Sequence, residues 1–144
     1  MYDELLKNLQ TIAYDWCYLM IDEYMSKNEK RILNMVRKRM KEGQGVDGGL
    51  IGSYRSKWYK EFKQVINPLA RGTVDLFLKG ALQRELTIQH VHKGYYYILS
   101  TDSKYRDLAS KYGAEQFGVT EEQKENIINE ALGYLVDKIK EKYE

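Results

Sequence analysis

His90-Val91-His92 sets two imidazoles two residues apart, a spacing that puts both on one face of a strand and suits a bound transition metal. A zinc site needs at least one further Asp, Glu, His or Cys ligand. The chain has no third histidine, and its single cysteine, Cys17, lies in an apolar-periodic segment where a buried thiol is expected. The pair therefore reads as polar residues at a hairpin tip. Carboxylates are plentiful, yet Asp22-Glu23 and Glu121-Glu122 occupy solvated helix positions. No glutamate stands alone in an apolar run, where burial would raise its pKa for acid catalysis. No serine falls in G-x-S-x-G. Gly43-Gln44-Gly45-Val46-Asp47-Gly48-Gly49 lacks the Gly-Lys-Ser/Thr ending of a phosphate-binding loop, and reads as a loop that is flexible or ordered by a partner. With so little catalytic material, we expect no enzyme, no cofactor and no metal.

What remains is charge and contact area. Net charge is only +2, from 23 basic and 21 acidic residues, which is no polyanion-binding signature by itself. The charges are uneven, however. Residues 1–72 hold 13 basic and 9 acidic residues, and the second half is correspondingly acidic. The cluster Arg37-Lys38-Arg39-Met40-Lys41 is expected on an outer helix face with Lys30 and Arg31. That face suits contact with DNA or with the acidic half of another copy. Tyrosine is in excess, at 13 residues against one proline. Tyrosine supplies large contact area with a polar tip, although an AT-rich genome would enrich it too. Arg37, Lys38, Arg39 and Lys41, with Tyr95, Tyr96 and Tyr97, are the candidate subunit-interface residues.

The elements that carry these residues follow from periodicity. Residues 2–41 read as helix, with Leu5, Leu6, Leu9, Ile12, Ala13, Trp16, Leu19 and Met20 on one face. Ser26-Lys27-Asn28-Glu29 matches a capping box and predicts a break or kink, followed by a second segment using Ile32, Met35, Val36 and Met40. Ser53 or Ser56 starts a short helix to about Val65, stopped by Asn67-Pro68. Val74 to Leu82 suits another. Leu86 to His90 alternates, His92-Lys93-Gly94 turns, and Tyr95 to Leu99 returns, which predicts a β-hairpin within residues 84–100. Thr120-Glu121-Glu122-Gln123 is a second capping box, opening a helix with an apolar stripe from Ile127 to Tyr143. The expected class is α+β in a single domain over 1–144: an N-terminal helical region (1–42), a glycine-rich loop (43–53) and a core (54–144). The core holds short helices, a central β-hairpin or small antiparallel sheet, and an amphipathic C-terminal helix. Asp3 and Glu4 stand where a signal peptide needs a basic flank, and no run of 18 apolar residues exists, which predicts synthesis in a cytoplasm and no membrane contact.

Ser100 to Gln123 packs several stops and starts into a short span. Together with Asp75-Leu76-Phe77-Leu78-Lys79-Gly80-Ala81-Leu82 and the hairpin, its Ser100-Thr101-Asp102-Ser103-Lys104, Lys111-Tyr112-Gly113 and Phe117-Gly118-Val119-Thr120-Glu121-Glu122 resemble small virion proteins of phages infecting Bacteroides-type bacteria. Those proteins are similar in turn to the neck and tail-completion proteins of tailed phages. The resemblance spans mostly Leu50 to Tyr143, with Lys79 where the motif has threonine. It implies a structural protein of the head–tail connector, present in the virion and in the host cytoplasm during assembly. It also implies a homo-oligomeric ring touching portal, neck or tail proteins, with DNA passing through. A small cytoplasmic nucleic-acid-binding accessory protein, using the face at Arg37-Lys41, is the alternative. In the connector reading, Asp102 or Ser103 caps a short helix, Gly113 ends it in a left-handed conformation, and Phe117 plugs the core.

Overall fold

The structure, a computed structural model, describes residues 1–47, 65 and 81–143. Its fold is α+β. Helix α1 spans Tyr2–Lys41, and a single-turn α2 spans Ala81–Arg84. Strands β1 (Leu86–His92) and β2 (Tyr95–Ser100) form an antiparallel hairpin. Helix α3 (Tyr105–Tyr112), a 3₁₀ turn (Ala114–Phe117) and helix α4 (Glu121–Tyr143) complete it. The expected helix from Ser53 or Ser56, the stop at Asn67-Pro68, most of the Val74 to Leu82 segment and residues 48–53 of the loop lie outside the described residues.

Helix α1 runs 40 residues without the break expected at Ser26. No glycine or proline lies between Tyr2 and Lys41, so nothing in the backbone favours leaving the helix. Side chains of this stretch, the would-be capping Glu29 among them, are also engaged elsewhere. Asn28 donates to the Tyr24 carbonyl at 2.8 Å, Lys27 pairs with Glu23 at 3.2 Å, and Glu29 turns toward the β1 amide of Ile88. Where α1 does end, Gly43 supplies the reason. Its φ of +72° lets the Gly43 N–H reach the Met40 carbonyl and the Gln44 N–H reach that of Arg39, a Schellman motif.

Two layers pack on α1. The hairpin lies along one side, with Tyr96 bonded to Asp22 and the turn residue Lys93 to Asp15. Helix α4 lies along another side and runs antiparallel: Arg31 meets Glu130, Tyr24 meets Tyr134, and Trp16 meets Lys142. A two-stranded hairpin is marginal by itself, and this packing gives it a surface to bury. The core sits near the C-terminal end of α1, where Leu33, Val36 and Met40 pack with Leu82, Leu86 and Phe117.

The segment after β2 is built around that core. Asp102 accepts the Lys104 N–H at 2.9 Å and closes the turn into α3, although the helix itself starts at Tyr105 without a side-chain cap. Gly113 ends α3 at φ +98° and ψ 136°, the left-handed, positive-φ side of backbone space that favours glycine, as expected from sequence. Phe117 is wholly buried, edge-on to the Tyr105 ring with centroids 4.7 Å apart. Thr120 and Gln123 then form the expected capping box reciprocally, at 3.0 and 3.1 Å.

Candidate functional site

The basic cluster at the end of α1 is divided by the helix. Arg39 is 4% exposed and points inward, contrary to the outer-face expectation. A helix turns 100° per residue, so five consecutive residues cannot share one face, and Arg39 falls on the side that meets the core. Its guanidinium donates to the carbonyls of Gln44 (2.9 Å), Gly118 (2.8 Å) and Gln116. Burial lowers its pKa, but a guanidinium stays charged at neutral pH. Arg37 is half-buried and donates to the Gln83 carbonyl at 2.8 Å and to Asn34 at 2.9 Å. Lys38 and Lys41 are exposed. Among these four residues, two hold the fold together and two face solvent.

The three hairpin tyrosines divide as strand alternation requires. Tyr95 and Tyr97 face outward. Tyr96 turns to α1, donates to the Asp22 carboxylate and stacks on His90 with centroids 5.1 Å apart. Burial and then the Asp22 hydrogen bond push its pKa well up. His90 and His92 do not share a face. The register slips between them, so that His90 pairs with Tyr96 and His92 with Tyr95, on opposite sides of the sheet. The extra residue of this bulge is what re-aims His92. Among the described residues, no group of three His, Cys, Asp or Glu side chains could hold a metal ion. Cys17 is half-buried, short of the full burial expected.

Sequence reading missed a polar cluster between the two long helices. Tyr24 donates to Glu130 at 2.7 Å, and Arg31 donates to both the Tyr24 hydroxyl (3.1 Å) and Glu130. Burial, and next the Glu130 carboxylate, push the Tyr24 phenol up to about 12. The hydrogen bonds from Tyr24 and Arg31 hold Glu130 below the usual carboxylate range. Glu130 lies 99 positions from Arg31 and 106 from Tyr24 along the chain, so no local spacing signals its part in the cluster. Their arrangement fixes the α1–α4 pairing.

Among the described residues, two apolar stripes are left uncovered, which periodicity alone does not reveal. The first lies on α1 before the point where α4 ends. Leu5, Leu9 and Ile12 belong to the same broad face as Trp16, on which Lys142 at the end of α4 is seated, yet they are 56%, 55% and 66% exposed. The second runs down α4 as Ile128, Leu132, Val136, Ile139 and Tyr143, all exposed, while Ala131 alone in that helix is buried. The segment expected to be a core stripe thus buries one edge and presents the other. Apolar patches of this length, flanked by polar residues, mark interaction surfaces. No described helix is long and apolar enough to cross a membrane. Compared with family models, curated proteins and solved structures, the chain matches none.

Proposed function

We propose that the protein is a structural component that works through protein–protein contacts in a homo-oligomeric assembly, at the head–tail connector of a tailed phage. The observation that carries the assembly reading is the pair of uncovered apolar stripes on α1 and α4, together with the outward Tyr95 and Tyr97. Burying such surface against other chains is favourable by about 25 cal/mol per Å². The connector setting rests on the resemblance of residues 75–123 to phage neck and tail-completion proteins. The rival nucleic-acid reading is weakened by the loss of Arg39 and much of Arg37 to internal carbonyl bonds, since phosphate binding draws on several accessible cations.

Sedimentation and electron microscopy of the purified chain, alone and with the structural proteins encoded beside it, test the proposal. A discrete multi-copy species with closed symmetry is the expected result. A chain that stays monomeric throughout, and binds DNA with a steep salt dependence, would overturn it.

A further inference from the structure

Helix α1 outruns both of its neighbours. The hairpin turn reaches only to Asp15 and the last turn of α4 only to Trp16, so among the described residues no element covers the first fourteen, a stretch of helix about 20 Å long. Its apolar residues recur with alternating spacings of three and four: Tyr2, Leu5, Leu9, Ile12. This is the seam of a helix built to pack on another helix. Charged residues stay off that seam, at Asp3, Glu4 and Lys7.

Resting on the reading of the protein as a self-assembling structural component, we infer that this projecting helix docks antiparallel on the outer stripe of α4 of a second copy. Three observations choose that occupant. First, the stripes match in length and period, so that Leu5 falls beside Ile139, Leu9 beside Val136 and Ile12 beside Leu132. Second, charge and dipole agree in this direction only. Asp3 and Glu4 lie in the first turn of α1, and Lys140 and Lys142 in the last turn of α4. Antiparallel docking brings the acidic turn to the basic one, whereas parallel docking would set it against Glu121 and Glu122. Third, the two surfaces are alike in exposure: Tyr2, Leu5, Leu9 and Ile12 are 80%, 56%, 55% and 66% exposed, and the α4 stripe offers five exposed apolar side chains to meet them.

The geometry has a direct consequence for assembly. The docked helix is antiparallel to the neighbour's α4, and α4 is antiparallel to its own α1, so successive copies have their α1 helices running the same way. Each copy offers one projecting helix and one α4 stripe, which are unlike surfaces. Such contacts are heterologous and propagate head-to-tail, closing into a ring when the rotation between copies permits.

The test uses the full chain with Cys17→Ser as background. One preparation carries Ile12→Cys and a second carries Leu132→Cys, and the two are mixed and oxidised. A disulfide joining one chain of each kind is expected. Leu9→Asp should weaken association roughly 10- to 100-fold while leaving the circular dichroism spectrum of the monomer unchanged, because Leu9 is no part of the core among the described residues. Preferential Ile12→Cys homodimers would show the projecting helices pairing with each other and overturn the inference. Assembly of the parent chain without any mixed disulfide would overturn the contact and leave the assembly reading standing. A parent chain that remains monomeric at every concentration would overturn both.

Discussion

Arg39 reaches across 79 positions of sequence to donate to the carbonyl oxygen of Gly118 at 2.8 Å, and its neighbouring bonds take the carbonyls of Gln44 and Gln116. One buried side chain thus ties the end of α1, the start of the glycine-rich loop and the turn before α4 into a single knot. The side chain of Gln116 adds a second tie by accepting the Val46 N–H at 2.9 Å. The described part of that loop, residues 43–47, is therefore held to the core.

Replacing Arg39 by alanine leaves three backbone acceptors short of their donor, so the expected loss is about 3 kcal/mol of stability. Arg39→Lys should recover only part of it, since an ammonium lacks the planar fork that serves several carbonyls together. Lys38→Ala, one residue away and exposed, should change stability by less than about 0.5 kcal/mol. Urea denaturation of the three variants checks the order. Equal effects at Arg39 and Lys38 would place Arg39 on the surface.

Phe117 gives the second prediction. Among the described residues it is the largest of the fully buried side chains, and it lies between the hairpin, α1 and α3. Phe117→Ala should cost about 3–5 kcal/mol through lost transfer energy and the cavity left behind. Phe117→Leu should cost nearer 1 kcal/mol. Thermal unfolding of both variants decides whether this short turn anchors the core or merely lies on it.

How much of this was legible in the sequence depends on the range of the interaction. The bounds of α1, the hairpin and its turn, and the Thr120–Gln123 capping box are all local, and residue pattern found each of them. The continuity of α1 past Ser26 was not legible, because the capping-box Glu29 takes its partner from elsewhere, the Ile88 amide. The inward turn of Arg39 and the Tyr24–Glu130 bond depend on which helix lies against which. Periodicity finds an apolar face on a helix, but it does not say where the neighbour covering that face stops. At Trp16 the neighbour stops, and that is why the stripe from Leu5 to Ile12 became visible only in the fold.

The Tyr24–Glu130–Arg31 cluster sets a pH dependence with two arms. The Tyr24 pKa is raised from 10.0 to about 12 in the folded state. Its contribution is therefore complete below pH 10 and is lost as pH rises through about 12. The Glu130 pKa is lowered from 4.5, so its contribution is present above that value and is lost as pH falls through the lower folded pKa. Tyr24→Phe should cost about 1 kcal/mol at neutral pH and flatten the alkaline arm relative to the parent chain. Urea midpoints between pH 3 and pH 12, compared between the two proteins, read this directly. Parallel profiles would show that the bond does not couple to folding.

The hairpin tyrosines separate fold from contact within three consecutive residues. Tyr96 holds the hairpin to α1 through Asp22, so Tyr96→Phe strips a half-buried carboxylate of its donor. That change should cost roughly 1–2 kcal/mol. Tyr97→Phe removes an exposed hydroxyl and should stay within about 0.5 kcal/mol. Assembly should respond in the opposite order. Replacing Tyr95 and Tyr97 together by serine removes outward contact area while leaving the Tyr96 bond in place, so the monomer should keep its spectrum and its association should weaken. Sedimentation beside denaturation distinguishes the two roles, because one surface acts on folding and the other on contact with a neighbour. If the double serine variant associates as tightly as the parent, the outer face of the hairpin is no part of the contact, and the stripes on α1 and α4 must supply it alone.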